Sequence, residues 1–386
     1  MNPKSYKLMV VAGEPSGDAH AAKLVAALRE KSFAASFEFF GATGAKMREA
    51  GVETVINSDD LSIVGLPEIA RALPTFWNAF QILKREATKR NPNAVVLVDF
   101  PDFNLKLAKS LKKRGLKIIY YISPQLWAWR KYRVKTIGKY VDLLLTILPF
   151  EKDWYANQGI SHVEYVGNPL AGEVRSTLTK AQFCAENNLD SQKPIVALLA
   201  GSRHKEITKI LPALLEAARL MKKKNADLQF VIALASTRNP AEIEAAIADA
   251  KRDLPQFTIV QDKTREALNA ADVAAVTSGT ATLETAIIGT PMAIVYKTSW
   301  LNYGLLRPLI SVEHFGLINL IAEERLAKEL IQKDFTAQTL SDELLRLLQP
   351  EMNKKMREKL CEATARLGKG GASRRAAEAI IRELET

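Results

Sequence analysis

Cysteine is nearly absent from this chain, and so are the other parts of a disulfide or metal scaffold. Its 386 residues include two cysteines and four scattered histidines, which give neither a disulfide framework nor a zinc spacing. Long apolar runs are missing as well: no stretch approaches the roughly 18 uncharged residues of a membrane-spanning helix. Residues 1–12 carry too short an apolar run for a signal peptide and read instead as a first strand. A cytoplasmic protein, or one at most peripheral to a membrane, is therefore expected. No acidic pair or His/Cys cluster offers a divalent-ion site, so no metal is expected. No DNA- or RNA-binding signature is present, so no nucleic-acid partner is expected. The turn after the first strand, Gly13-Glu14-Pro15-Ser16-Gly17-Asp18, lacks the Gly-x-Gly-x-x-Gly fingerprint, which disfavours a nicotinamide enzyme.

What is present is enough apolar sequence, 47%, for two domains with full cores. Strand-like and helix-like segments alternate throughout, the pattern of parallel sheets covered by helices. The first half predicts strands over 7–12, 37–41, 94–99, 117–122 and 142–148, with helices from Ala19, Gly44, Phe103 and Arg130. The second half restarts with strands at 194–200, 228–234, 257–260, 273–277 and 292–296, and with helices over 207–223 and 240–252. The polar, interrupted stretch 167–193 reads as the linker. We expect domains at 1–168 and 169–350, and a charged helical tail, 351–386, packing on the first domain or on a partner subunit, so a homodimer stays open. In such sheets ligands bind beyond the carboxyl ends of the strands, here in a cleft between the two domains.

Charge is uneven. Residues 1–168 hold 24 Lys and Arg against 16 Asp and Glu, whereas the remainder holds 30 against 27. A basic first half suits a nucleic-acid backbone, for which no signature is present, an anionic membrane surface or a phosphorylated substrate. Lys106, Lys109, Lys112 and Lys113 are explained by a solvated helix face alone.

The strongest motif is Ser278-Gly279-Thr280-Ala281-Thr282-Leu283-Glu284, small residues between a strand and a helix. The free N–H groups of that first helical turn, with the helix dipole, make an anion site that a diphosphate can approach closely. Glu284, one turn in, is placed to accept from ribose hydroxyls. Gly201-Ser202-Arg203-His204-Lys205-Glu206 ends another strand, and the fork of Arg203 suits a departing diphosphate, while Glu206 caps or pairs. Asp99 closes the buried run 94–98, where a carboxylate serves as general base for a hydroxyl. Asp102 reads as the cap of the next helix. Glu14 points from a strand end into the cleft; Ser16 or Asp18 caps the following helix, and Gly17 allows close approach of a ligand. Trp127 and Trp129, beside Arg130 and Lys131, read either as packing or as the wall for an acyl chain or sugar. Phe76, Trp77 and Phe80 share a helical face in the apolar stretch 61–80, read either as a core helix or as a surface touching bilayer or acyl chains.

Taken in order, the segments 13–18, 99–104, 123–130, 148–151, 201–203, 278–284 and 317–320 resemble the lipid-A-disaccharide synthase family over essentially the whole chain. The resemblance implies a GT-B glycosyltransferase, with two Rossmann-like parallel-sheet domains. It would join UDP-2,3-diacylglucosamine to 2,3-diacylglucosamine 1-phosphate with inversion, giving the β-1,6 disaccharide 1-phosphate and UDP. It further implies a peripheral place on the cytoplasmic face of the inner membrane, and no cofactor, the UDP-sugar being a substrate. Asp99 matches the family's essential aspartate, Arg203 its essential arginine, Glu284 its ribose-binding acid and Asn319 an asparagine of the donor site. Asn168 departs from the pattern, which often has histidine there. A UDP-sugar epimerase of the same architecture is the rival enzyme, and a UDP-sugar-binding protein without turnover the rival of another class.

Overall fold

In this computed structural model the described residues are 4–31, 35–58, 66–235, 238–250, 253–298 and 313–386. The chain divides into two compact units, 1–172 with 369–386, and 173–368. The first unit is a seven-stranded sheet of β1 (Lys4–Ala12), β2 (Ala35–Thr43), β3 (Glu53–Asn57), β4 (Ala94–Val98), β5 (Ile118–Tyr121), β6 (Leu143–Thr146) and β7 (Val163–Tyr165). Its strand order is β3-β2-β1-β4-β5-β6-β7, and every pairing is parallel. The second unit orders β8 (Ile195–Leu199), β9 (Gln229–Leu234), β10 (Phe257–Gln261), β11 (Val273–Thr277), β12 (Met292–Tyr296) and β13 (Glu329–Ile331) as β10-β9-β8-β11-β12-β13, again parallel.

Burial on both faces explains the strand sequences. β4, β5, β6, β8 and β11 are buried at every residue, so they read as unbroken apolar runs rather than alternations. Along β1, Leu8, Val10 and Ala12 face one core and Met9 and Val11 the other, the two-residue period of a strand. In each unit the order reverses between two neighbouring strands, β1 and β4 in the first, β8 and β11 in the second. In each unit the loops after its two strands open at the crevice where such a sheet binds ligands. They begin at Gly13, Asp99, Ala200 and Ser278, where the candidate residues cluster.

Three edge strands were not expected. β3, β7 and β13 are short and partly exposed, without an apolar run to mark them. Two helices begin earlier than expected, at Pro15 and Pro101, because proline at the first helical position loses no hydrogen bond. The helix expected from Arg130 starts later: Arg130 is left-handed (φ 56°), a single 3-10 turn follows, and the helix runs Val134–Tyr140.

The expected tail is divided. Pro350–Ala365 is a helix of the second unit, while Ala372–Glu385 belongs to the first. There Ala376 and Ile380 join the core beneath β1, Arg375 Nε donates to the Val166 carbonyl (2.7 Å), and Arg382 pairs with Glu164 (2.7 Å). Among the described residues no helix is long and apolar enough to cross a membrane.

Candidate active site

In the first unit, β4 ends against an unusual turn. Asp99 and Phe100 both adopt left-handed backbone (φ 47° and 51°), a conformation costly for side chains of this size. Three hydrogen bonds hold it. The Asp99 N–H donates to the Tyr121 carbonyl (3.0 Å), and the Asp99 carbonyl accepts from the buried Tyr120 hydroxyl (2.6 Å) and from Asn104 Nδ2 (2.8 Å). The Phe100 ring covers Gly13 so closely that a Cβ there would fall within it, which is why the turn after β1 begins with glycine.

The Asp99 carboxyl is half-buried. Burial, and then the negative charge of Glu14, push it from the ordinary 3.8 up to about 6, against one opposing hydrogen bond from the Phe100 N–H. A carboxylate so placed is poised to accept a proton near neutral pH.

The neighbouring charges are tied. Asp102 accepts from Arg130 Nη1 (2.7 Å) and from Arg133 Nη2. Partial burial pushes its carboxyl up, but the two guanidiniums outweigh that and hold it below the ordinary value. Asp102 therefore does not cap its helix; the N-cap is Phe100, with no side-chain bond. Arg130 also lies over the Trp129 ring, 4.1 Å from its centroid.

Other expected residues have structural posts. Asp18 does not cap its own helix; buried, it accepts from the N–H groups of Gly44 (2.7 Å), Lys46 (2.8 Å) and Met47 (3.2 Å), capping the next one. Glu14 and Ser16 are exposed at the start of helix Pro15–Glu30. Gly17 is buried in that helix, its Cα facing Ala12 and the Val98 carbonyl. Trp127 is not a cleft wall but a buried ring: Nε1 donates to Glu151 Oε1 (3.0 Å), and the ring packs edge-on against Phe150. Glu151, buried with further bonds from the N–H groups of Ile147 and Leu148, is pushed by burial up to about 7. Asn168 is also buried, spanning the Ile147 carbonyl and the Leu170 N–H.

Of the apolar stretch 61–80, residues 61–65 and the side chains of 66–72 lie outside the described residues. Phe76 and Phe80, four apart, turn inward onto Phe103, with ring centroids 6.4 and 6.0 Å away. Trp77, a hundred degrees round the helix, is 64% exposed, as Leu73 is at 60%. The three aromatics therefore do not share one outward face.

In the second unit, β11 leads into Ser278, and Gly279 caps helix Thr280–Ile288. Its φ of 154° and ψ of −163° belong to glycine, and a Cβ built there meets nothing within 4 Å among the described residues, so they leave the space above the first turn open. Ser278 Oγ donates to the Phe315 carbonyl (3.1 Å). Glu284 is oriented by Arg265, whose Nε and Nη2 donate to Oε1 at 3.2 and 2.9 Å.

After β8, Gly201 (φ 105°) turns the chain into helix His204–Lys224. Glu206 reaches back to the N–H groups of Ser202 (3.2 Å) and Arg203 (3.3 Å), and the Arg203 side chain, 73% exposed, pairs among the described residues with Glu206 (3.0 Å). Asn319 differs from its expected place at a ligand. It is fully buried, its oxygen accepting from the Ala327 N–H and its nitrogen donating to the Ala327 carbonyl and to Glu329 Oε1. Sequence reasoning passed over Tyr120, Asn104 and Glu329. A strand tyrosine two residues before a turn is the only signal any of them carries.

A model of the family described as lipid-A-disaccharide synthetase matches residues 8–383. The chain is 42% identical over 380 residues to the lipid-A-disaccharide synthase of Trichlorobacter lovleyi, covering 98% of each chain. It is 40% identical over 382 residues to that of Geobacter sulfurreducens, again covering 98% of each. Among solved structures it is similar to the MnaA–UDP complex of S. aureus (TM-score 0.67, 15% identity, 99% and 97% covered). It is also similar to MurG of Acinetobacter baumannii (TM-score 0.59, 13% identity, 98% and 100% covered). At such identities the two structures speak to the fold alone.

Proposed function

This chain belongs to the lipid-A-disaccharide synthase family and is a glycosyltransferase of lipid A biosynthesis with the GT-B fold, and from that premise we propose how its residues divide the reaction. The acceptor 6-hydroxyl attacks the anomeric carbon of the UDP-linked diacylglucosamine from the face opposite UDP. As the new C–O bond forms, the bond to the diphosphate breaks and its electron pair leaves with UDP, inverting the centre. Asp99 takes the hydroxyl proton, a contribution of roughly 10²–10⁴ in rate. The observation that carries this role is the half-buried Asp99 carboxyl on a clamped, left-handed turn at the first sheet's strand reversal.

The leaving group calls for positive charge. Arg203 and the N–H groups opening helix Thr280–Ile288 hold the diphosphate as its charge grows, without a metal ion. Glu284, steadied by Arg265, accepts from the ribose hydroxyls. Glu14 and Arg130 are the polar groups that meet the acceptor. The chain works at the inner membrane surface, where exposed Leu73 and Trp77, followed by Lys84, Arg85 and Lys89 on the same helix, suit an anionic bilayer.

The test is disaccharide formation from the two diacylglucosamine substrates in detergent with EDTA present. Wild type is expected to form product and Asp99→Ala to lose nearly all of it. Equal turnover by the variant removes Asp99 from the chemistry, and loss of wild-type turnover on EDTA addition removes the metal-free reading.

A further inference from the structure

One carboxylate in the second unit gathers four hydrogen bonds and has no role in the scheme above. Glu329, the first residue of β13, accepts from the Phe315 N–H through both oxygens (3.0 Å each), from the Gly316 N–H (2.8 Å) and from Asn319 Nδ2 (2.9 Å). Gly316 lies close to both neighbours: a Cβ would displace the tip of Ile294 and stand 3.3 Å from Glu329 Oε1. Small size, rather than backbone conformation, favours glycine there (φ −85°). The Phe315 carbonyl in turn accepts from Ser278 Oγ, the first residue of the anion-binding turn. A continuous path runs from Asn319 through Glu329 and the Phe315–Gly316 backbone to Ser278.

We propose that Glu329 is the positioning residue of the donor site, fixing the Phe315–Gly316 backbone so that Ser278 and the turn at Gly279 are preorganised for a nucleoside diphosphate. This deepens the donor reading above and rests on it. Hydrogen bonds to a charged acceptor are about twice as strong as neutral ones, so one carboxylate can hold two backbone amides whose loss would free the loop. The path also gives Asn319, buried and without a free polar atom, a way to influence a ligand it does not touch: its amide holds Glu329 in place.

The test uses the full chain, with UDP as the probe. Glu329→Gln keeps the shape but offers one oxygen to donors that now use two. UDP affinity is expected to fall five- to twenty-fold and the donor KM to rise in parallel, while the acceptor KM stays within twofold. Ser278→Ala weakens UDP less, and its effect largely disappears in the Glu329→Gln background, because both act through Phe315. UDP affinity within twofold of wild type in Glu329→Gln, or fully additive effects in the double variant, overturns the proposal. Gly279→Ala separates the two levels. If it weakens UDP while Glu329→Gln does not, only this inference fails; if neither matters, the donor reading fails with it.

Discussion

At the first sheet's strand reversal a half-buried carboxylate sits on left-handed backbone; at the second sheet's, one loop carries an exposed guanidinium and the other a glycine that meets no described residue where a side chain would stand. The two places are topologically equivalent, each at the junction of the first and fourth strands of its sheet. Their chemistry is opposite, as the proposed division of tasks requires. A general base gains from lost solvent and a like-charged neighbour, since both raise its affinity for a proton. An anion holder needs donors already aimed and space for a large group, with little burial of its own charge. A fold supplies the position; local turn chemistry decides what the position does.

The comparison breaks most visibly at Asp99. Asp99→Asn is expected to lower kcat by roughly 10²–10⁴ while UDP affinity stays within threefold, measured by steady-state turnover and calorimetric titration. The same change should stabilise the fold. Folding raises the Asp99 pKa from about 3.8 to about 6, so the ionised form costs stability as pH rises through that window. Asp99→Asn should therefore melt above wild type at pH 8, by up to about 3 kcal/mol, and match it below pH 4. Equal melting at pH 8 would mean the carboxyl is solvated.

Arg203→Ala comes next, with kcat expected to fall roughly 10²–10³, the loss typical of removing one charge-stabilising donor, and with Arg203→Lys recovering only part. Retention of full turnover would leave the helix N-terminus as the whole diphosphate site. Gly279→Ala introduces no clash but demands backbone that alanine avoids, so UDP affinity should drop about tenfold at a stability cost of about 1–3 kcal/mol. Unchanged affinity would show that the turn's conformation is irrelevant to binding.

Tyr120→Phe removes one hydrogen bond from the Asp99 carbonyl, worth about 1 kcal/mol, so kcat should fall roughly fivefold. The acid limb of the pH–rate profile, expected near pH 6, should move downward as the carboxylate gains solvent; a limb that stays put would make Tyr120 merely structural. The charge that acts on Asp99 is Glu14, while Tyr155, Arg133 and Asp102 surround Tyr120, and none of these is altered in that variant. The smallest effect belongs to Glu151→Gln. Its carboxyl is also raised, to about 7, but Trp127 and two backbone N–H groups enclose it, so the acid limb should not shift.

Much of this was legible in the sequence, unevenly and for physical reasons. Strands buried on both faces announce themselves as apolar runs, so β4, β8 and β11, and with them Asp99, Arg203 and Ser278, could be placed without coordinates. Edge strands with mixed burial could not. Chemistry-bearing residue types at strand ends were found; where each side chain turns was not. Trp127, Phe76 and Phe80, each open to packing or to a ligand or membrane role, are packing, and so is Gly17, read as making room for a ligand, because sequence gives the position on an element but not which neighbour occupies the space. Glu329 was invisible because its partners, Phe315, Gly316 and Asn319, come from another segment, the turn and start of helix Leu317–Ala322.

The most direct measurement pairs turnover with UDP affinity for Asp99→Asn and Arg203→Ala, in the same detergent and with EDTA present. A division of labour predicts that Asp99→Asn loses at least a hundredfold in kcat with UDP affinity intact, whereas Arg203→Ala loses on both counts. Should Asp99→Asn keep its turnover, or lose UDP affinity in step with it, the first sheet's carboxylate is not the base and the two sites do not divide the reaction.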